Sequence, residues 1–210
     1  MAVVVNQFIN SDCLLGLWEI EEDFDYLFSK VNLDEEEKNT LFSFKNPARQ
    51  VEWLSVRALL NELTQKESKI IYNEERKPFL SDYSQNISIS HSNKLTSVFL
   101  SKDKRVGIDL EYMSHRINNI AYKFINPNEY ITSNKAFEQL HLYIHWCAKE
   151  ALYKICDKEN INFKDNITIK PFEIEHEGFI TGVHHDEGIY DEFQLKYMLR
   201  NNYVIVLCCK

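Results

Sequence analysis

The 210-residue chain contains little glycine and little proline, and it has no composition break typical of a flexible linker. Only five glycines and four prolines occur, so a long mobile connection between separate domains is not expected. No apolar run approaches the roughly 18 residues that a membrane-spanning helix requires, and no basic segment followed by an apolar one indicates a secretory signal. We therefore expect a cytoplasmic globular protein, built as one large domain or two small halves.

Paired cysteine motifs are also missing. The five cysteines form no C-x-x-C pair and their number is odd, which argues against both a zinc site and a disulfide framework. The formal net charge is −8, which argues against general nucleic-acid binding. Net charge does not exclude a local basic pocket for a phosphorylated ligand. The five cysteines are Cys13, Cys147, Cys156, Cys208 and Cys209.

Two long helices separate groups of short strands. Asn46-Pro47 is typical of a helix start, and apolar residues then recur with helical spacing as far as Leu63. A second long helix is predicted over about 135–157, where the apolar positions again follow a helical period. The predicted strands are 2–5, 15–20, 87–90, 95–100, 106–111, 179–183, 193–199 and 203–208.

These elements predict an α+β fold with two similar halves, each a long helix packed on a small antiparallel sheet. We expect a pseudo-two-fold monomer that consists of an N-terminal half, 1–105, and a C-terminal half, 106–210, with the active site at their junction. The strands at 87–90, 95–100 and 106–111 follow closely on one another and are predicted to form a meander. The run 199–202 is predicted to be a hairpin turn.

Two acidic residues alternate along the predicted strand Val106-Gly107-Ile108-Asp109-Leu110-Glu111. Because side chains along a strand alternate in direction, Asp109 and Glu111 point to one face, roughly 7 Å apart. We expect that face to be solvated, with Gly107 leaving room for something bulky beside it. Two carboxylates at this spacing can chelate a hard cation such as Mg²⁺, although a strand face that is merely charged is the alternative.

The second predicted helix carries the run Trp146-Cys147-Ala148-Lys149-Glu150-Ala151-Leu152-Tyr153-Lys154. Glu150 lies at the border of the apolar stripe, and Lys154 follows one turn later on nearly the same face. A carboxylate with a neighbouring ammonium could serve as a metal ligand or a base beside a phosphate contact. Taken alone, an ordinary ion pair is the simpler interpretation.

A third polar run, Ser90-His91-Ser92, lies at the end of a predicted strand. A histidine and hydroxyl groups at that place could hold a phosphate. Ser90 and His91 are adjacent on a strand and therefore point apart, so they are badly placed as a nucleophile and its base. A polar turn without function is the alternative.

Taken together and in this order, the runs resemble the 4′-phosphopantetheinyl transferase superfamily over about residues 35–155. The family patterns are a G-(I/V)-D-x-E strand, a W-x-x-K-E-x-x-x-K helix, an S-H-S run, a K-P loop and an F-x-x-x-E-Y segment or similar. The matching runs are Gly107–Glu111, Trp146–Lys154, Ser90–Ser92, Lys77-Pro78 and Phe124–Tyr130. The length is similar to that of the pseudo-dimeric, surfactin-synthetase-activator type.

The resemblance implies a transferase that moves the 4′-phosphopantetheine group of coenzyme A onto a serine of an apo acyl or peptidyl carrier protein. The released product would be 3′,5′-adenosine bisphosphate. Mg²⁺ is the implied cofactor, with Asp109, Glu111 and Glu150 as its ligands. Glu150 is the preferred base for the serine proton and Glu111 the second choice.

The resemblance also implies which residues contact coenzyme A. Lys154, His91 and Ser90 would lie near its phosphates. Lys77, Arg49 and Lys38 would lie near the 3′-phosphoadenosine end. Glu35 stands where the family often has a second lysine.

Two other functions fit part of the sequence. One is a different Mg²⁺-dependent phosphotransferase, although no G-x-x-x-x-G-K-S/T loop is present. The other is a coenzyme A or carrier-protein binding module without catalysis. Carriers of fatty acid, polyketide and nonribosomal peptide biosynthesis all remain open as partners.

Overall fold

The computed structural model describes residues 3–156, 161–186 and 188–210. Contacts along the chain divide it into two units, Met1–Lys104 and Arg105–Lys210. Both units combine helices with antiparallel strands, which confirms the predicted α+β class. Ala2 and Asp157, at the ends of a predicted strand and helix, lie outside the described residues. Over the described ranges no helix is both long and apolar enough to cross a membrane.

The elements of the first unit are β1 (Val3–Phe8), β2 (Cys13–Glu19), α1 (Phe24–Ser29), α2 (Glu35–Ser43), α3 (Pro47–Thr64), β3 (Ile70–Tyr72), β4 (Pro78–Leu80), β5 (Asn86–Ser92) and β6 (Leu95–Ser101). Those of the second unit are β7 (Val106–Tyr112), α4 (Arg116–Phe124), α5 (Lys135–Ile155), β8 (Ile167–Ile169), β9 (Glu177–Asp186), β10 (Ile189–Arg200) and β11 (Tyr203–Cys209).

The first unit is a four-stranded sheet, in the order β1-β2-β6-β5, with the long helix α3 packed on β2 and β6. The helix begins where the sequence predicts. The side chain of Asn46 accepts a hydrogen bond from the Ala48 N–H at 3.0 Å, and Pro47 occupies the first helical position. Leu54 and Leu59 of α3 are fully buried in the apolar core of this unit.

The second unit is a five-stranded sheet, in the order β7-β11-β10-β9-β8, with α5 packed on it. The predicted turn at 199–202 is confirmed, because Asn201 takes a left-handed conformation (φ 50°) between β10 and β11. The predicted meander is wrong, since β7 pairs with β11 and not with β6. Both edges of β6 are occupied by β2 and β5, so β6 has no edge to offer β7.

The two units repeat one plan despite their different sequences. In the first, β2 and α3 precede the hairpin β5–β6, and β2 pairs with β6; in the second, β7 and α5 precede β10–β11, and β7 pairs with β11. Each long helix also carries a buried cation that pairs with a buried glutamate 20 residues upstream. Arg57 Nε lies 3.1 Å from Glu37 Oε1, and Lys149 Nζ lies 2.8 Å from Glu129 Oε2.

Lys149 ties several segments of the second unit together. Four acceptors surround its buried ammonium, and its three N–H bonds are shared among Glu129 Oε2 (2.8 Å) and the carbonyl oxygens of Phe124 (2.6 Å), Phe163 (2.9 Å) and Ile167 (2.8 Å). A buried charge is tolerated when it is paired and fully hydrogen-bonded in this way. Lys149 therefore has a structural role. Its contacts fix the position of α5, and with it the residues that follow Lys149 on this helix.

Two buried histidines lie on successive turns of α5. His141 Nδ1 accepts from the Thr132 N–H at 2.9 Å, and His145 Nδ1 donates to the His141 carbonyl at 3.0 Å. The Nε2 atoms of both rings have no hydrogen-bond partner among the residues that the structure describes. Burial lowers the pKa of His145 to about 3, so the ring stays neutral in the folded protein.

This histidine makes stability depend on pH. The unfolded chain binds a proton at His145 below its ordinary pKa of 6.5, whereas the folded chain does not until about pH 3. The free energy of unfolding that the neutral His145 contributes above pH 6.5 is therefore lost as the pH falls toward 3. We expect about 2 kcal/mol of extra loss between pH 6.5 and 5, at about 1.4 kcal/mol per unit.

The comparison variant is His145→Asn, which retains a donor for the His141 carbonyl but does not titrate. Urea unfolding at pH 7.5 and pH 5 should give the wild type a fall in unfolding free energy about 2 kcal/mol larger than that of the variant. Equal losses in the two proteins would contradict this assignment. Carboxylates elsewhere titrate in the same way in the wild type and the variant, so their contributions to the change in unfolding free energy cancel in the comparison.

Candidate active site

A glycine brings the strand β7 and the helix α5 close together. A Cβ atom at position 107 would collide with the carbonyl oxygen of Ala151 and crowd the side chain of Ile155. The missing side chain of Gly107 therefore leaves room for the backbone of α5. This helix is the bulky neighbour that the sequence predicted without identifying it. The alternate positions Asp109 and Glu111 share the face of β7 that carries Gly107.

Asp109 is paired with an ammonium from this helix. Lys154 Nζ donates to Asp109 Oδ1 at 2.8 Å and to the carbonyl oxygen of Ile108 at 2.9 Å. The Asp109 side chain is only 7% exposed, so the expectation of a solvated strand face is wrong at this position. The burial arises because α5 covers the face and the missing Cβ of Gly107 lets it approach.

Glu150 interacts electrostatically with both carboxylates of β7. Burial, followed by the charges of Asp109 and Glu111, raises the pKa of Glu150 to about 7, while the ammonium of Lys154 opposes the shift. Three carboxylates and one ammonium thus share a partly buried site. A raised glutamate pKa is typical of functional sites, because a carboxyl group that titrates near neutral pH can exchange protons there.

Cys147 of α5 lies beside these groups, and Trp146 precedes Glu150 by one helical turn. The thiol of Cys147 is buried beside the carboxylates, and burial together with Asp109 and Glu111 raises its pKa, so it remains protonated. Trp146 is half-buried and packs edge-on against Phe124, with ring centroids 5.1 Å apart. The protonated thiol of Cys147 is therefore an uncharged neighbour of the carboxylates on the helix side.

The donor atoms suit a hard divalent cation in charge and type. Carboxylate oxygens are the ligands that Mg²⁺ prefers, and the mutual repulsion of Asp109, Glu111 and Glu150 leaves an excess of negative charge beside one lysine. Across the described ranges, however, no three His, Cys, Asp or Glu side chains are already arranged as a metal cage. The suitability of this site for Mg²⁺ therefore rests on the negative charge and the oxygen donors of the three carboxylates, and not on a preformed ligand geometry.

A second group of predicted residues lies in the first unit. His91 on β5 contacts Arg49 on α3 through its Nε2 atom and the guanidinium Nη1. Glu52 lies beside both, with Oε2 at 3.2 Å from Arg49 Nη1 and 3.5 Å from His91 Nδ1. The structure therefore brings Arg49 and His91 together, as a phosphate-binding pair requires.

The other residues predicted to contact coenzyme A in the first unit lie on β5, just before β4 and on α2. Ser90 is buried and points to the opposite face of β5 from His91. Lys77 lies before β4 with its ammonium 5.8 Å from the Phe79 ring centroid. Lys38 forms an exposed ion pair with Glu35 at 2.8 Å, so the residue that replaces the expected second lysine partly neutralises the first.

Sequence reasoning missed Glu52 altogether. Its spacing of three from Arg49 on α3 could have indicated an ion pair on one helix face. Its approach to His91 depends on how α3 packs near β5, and no local pattern contains that information. Cys147 was predicted only as a position of the apolar stripe on the second long helix, although it lies beside the carboxylates.

An α+β unit in which a strand and a helix bring three carboxylates and a lysine together is suited to chemistry on a phosphate ester. Residues 105–208 match the family model of the 4′-phosphopantetheinyl transferase superfamily, which indicates a transferase. The match covers nearly all of the second unit and includes Asp109, Glu111, Glu150 and Lys154. A comparison with curated proteins gives no match.

Proposed function

We propose that this protein transfers the 4′-phosphopantetheine group of coenzyme A to a serine hydroxyl of an apo acyl or peptidyl carrier protein. In this reaction the serine oxygen attacks the β-phosphorus, the bond to the adenosine-bearing phosphate breaks, and 3′,5′-adenosine bisphosphate leaves. The observation that carries the proposal is the convergence of Asp109, Glu111 and Glu150 with Lys154, in the unit that matches the family.

The side chains have separate roles in this proposal. Glu150 is the preferred acceptor of the serine proton, directly or through water, and Glu111 is the second candidate. Lys154 provides a positive charge for the diphosphate from beside Asp109. Phosphoryl transfer depends mainly on such positioning and charge neutralisation.

Asp109, Glu111 and Glu150 are the proposed ligands of Mg²⁺. When bound, Mg²⁺ would neutralise charge on the diphosphate as a Lewis acid. The three carboxylates would then lose the repulsion that raises the pKa of Glu150. The proposed coenzyme A contacts in the first unit are Arg49 and His91, which already touch, together with Lys77 and Lys38.

The repeated plan of the two units supports the pseudo-dimeric, surfactin-synthetase-activator type as the closer classification. In each unit the strand that precedes the long helix, β2 or β7, pairs with the last strand of the unit's final hairpin beneath that helix. A chain that contains both units would function as a monomer, which size-exclusion chromatography with light scattering can test.

The direct test incubates the protein, Mg²⁺ and fluorescent coenzyme A with a panel of apo-carrier proteins. We expect label on at least one carrier, release of 3′,5′-adenosine bisphosphate in equal amount, and no label when the carrier serine is alanine. Coenzyme A binding without transfer to any carrier would favour a binding module. Phosphate transfer to another acceptor would favour a different phosphotransferase.

The helix α4 is the surface that we propose for carrier docking. Its sequence contains no acidic residue, its buried side chains Ile117 and Phe124 fix it to the core, and Arg116 and Lys123 are exposed. An open groove of about 460 Å³ lies beside the packed helices α4 and α5, lined by Asn118, Ala121, Tyr122, Ile125, Ile131, Glu138 and Leu142. Acidic carriers, which the family uses, would meet a basic rim and an apolar groove.

Reversing the two exposed charges, Arg116→Glu with Lys123→Glu, should raise the carrier KM about tenfold and leave the coenzyme A KM unchanged. Exposed ion pairs are each worth on the order of 0.2–1 kcal/mol, and reversal replaces attraction with repulsion. The control with the same charge change is Lys102→Glu with Lys170→Glu, at exposed positions outside α4. An equal effect of both double variants would remove α4 from the interface.

A further inference from the structure

One carboxylate oxygen in the first unit contacts two side chains at once. Glu52 Oε2 lies 3.2 Å from Arg49 Nη1 and 3.5 Å from His91 Nδ1. Arg49 Nη1 in turn contacts His91 Nε2. Because arginine can only donate, His91 Nε2 accepts this contact and the ring proton lies on Nδ1, toward Glu52. The carboxylate of Glu52 therefore lies beside both the Arg49 guanidinium and the protonated ring nitrogen of His91.

The order of burial places Glu52 on the inner side of this cluster. Its side chain is 20% exposed, against 39% for Arg49 and 34% for His91. The guanidinium is also held from another side by the Phe44 ring, 5.6 Å from its centroid. The contacts to Glu52 and His91 both use Nη1, and the Arg49 side chain is still 39% exposed.

We infer that Glu52 is a positioning residue that, together with the neutral His91 ring, holds the Arg49 guanidinium in place to bind the phosphate groups at the nucleotide end of coenzyme A. The inference rests on the proposed function for the identity of that ligand. Long side chains lose conformational freedom when they close on a ligand, and the carboxylate has already ordered that of Arg49. The positive charge of Arg49, which Glu52 contacts at 3.2 Å, offsets the repulsion between this carboxylate and the phosphate.

The test removes the charge of Glu52 and keeps its size. In Glu52→Gln the dissociation constant of 3′,5′-adenosine bisphosphate, measured by calorimetry at fixed salt, should rise about tenfold. The coenzyme A KM should rise by the same factor, while kcat at saturating coenzyme A stays within about twofold. The matched control is Glu62→Gln, an exposed glutamate on the same helix, which should change neither constant.

A double-mutant cycle separates positioning from a general structural role. In an Arg49→Ala background the guanidinium that Glu52 holds is absent, so Glu52→Gln should raise the dissociation constant only about threefold or less. An equal tenfold rise in both backgrounds would overturn the inference. So would unchanged or tighter nucleotide binding by Glu52→Gln alone, since repulsion would then dominate.

Transfer to carrier proteins by the wild type is measured in parallel. If the wild type binds 3′,5′-adenosine bisphosphate in a Glu52-dependent way but transfers nothing, the proposed function fails and the inference stands. If it transfers the label but Glu52→Gln binds the nucleotide normally, the inference fails and the function stands. A wild type that does not bind the nucleotide overturns the role assigned to Glu52.

Discussion

Glutamine at position 150 is expected to lower kcat by on the order of 10²–10⁴ while the affinity for coenzyme A changes less than about threefold. The amide keeps the size of the glutamate and one of its oxygens, but it cannot accept the proton of the carrier serine. Glu150 is the carboxylate whose pKa rises to about 7, mainly through burial and the charge of Asp109. The measurement is steady-state transfer at saturating Mg²⁺ and coenzyme A, with coenzyme A binding by calorimetry.

The fold should survive this change. Burying three carboxylates together costs stability, so a neutral amide at position 150 should leave the melting temperature unchanged or raise it. The matched control is Glu192→Gln, which removes an exposed carboxylate of the same unit. Near-normal kcat in Glu150→Gln would exclude Glu150 as the base. A larger loss in Glu111→Gln would then identify Glu111 in its place.

The long helices and the last hairpin could be predicted because their signals are local. The Asn46-Pro47 start of α3 is a capping pattern, and it forms as predicted. The apolar period of α5 extends over many turns, and the helix observed at Lys135–Ile155 ends within two residues of the predicted boundary. Such signals depend on backbone geometry and spacing within one segment.

The pairing of β7 could not be predicted in the same way. Neighbouring strands pair often enough to favour a meander, yet β7 pairs with β11, which begins at Tyr203. That choice depends on which sheet edges the rest of the chain has already filled. The edges of β6 are taken by β2 and β5, and this is a property of the whole unit.

The chemistry at the site is partly local and partly tertiary. The alternation along β7 places Asp109 and Glu111 on one face, as the sequence indicates. The burial of Asp109 and the raised pKa of Glu150 arise from the close approach of α5, which depends on the missing Cβ of Gly107. The sequence contained that glycine, but only the packing shows that a helix backbone uses the space.

Asparagine at position 109 is expected to reduce transfer by on the order of 10³ or more. The carboxylate is one of the three proposed Mg²⁺ ligands, and charge stabilisation by a metal is worth several kcal/mol. Asparagine is the better probe than alanine, because Asp109 is buried and Lys154 Nζ bonds to it at 2.8 Å. Alanine would leave a cavity and a half-buried ammonium without its carboxylate, which would confuse loss of activity with loss of fold.

The Asp109→Asn result needs a second measurement, because two roles predict the same loss of transfer. If Asp109 binds Mg²⁺, calorimetry should show Mg²⁺ affinity weakened more than tenfold. If it only holds Lys154, Mg²⁺ affinity should stay normal, and Lys154→Met should reproduce the kinetic loss. Asp191→Asn, at an exposed carboxylate paired with Lys210, controls for the amide substitution. Full transfer by Asp109→Asn at ordinary Mg²⁺ would contradict both roles, and the charge excess around Glu150 would then need another explanation.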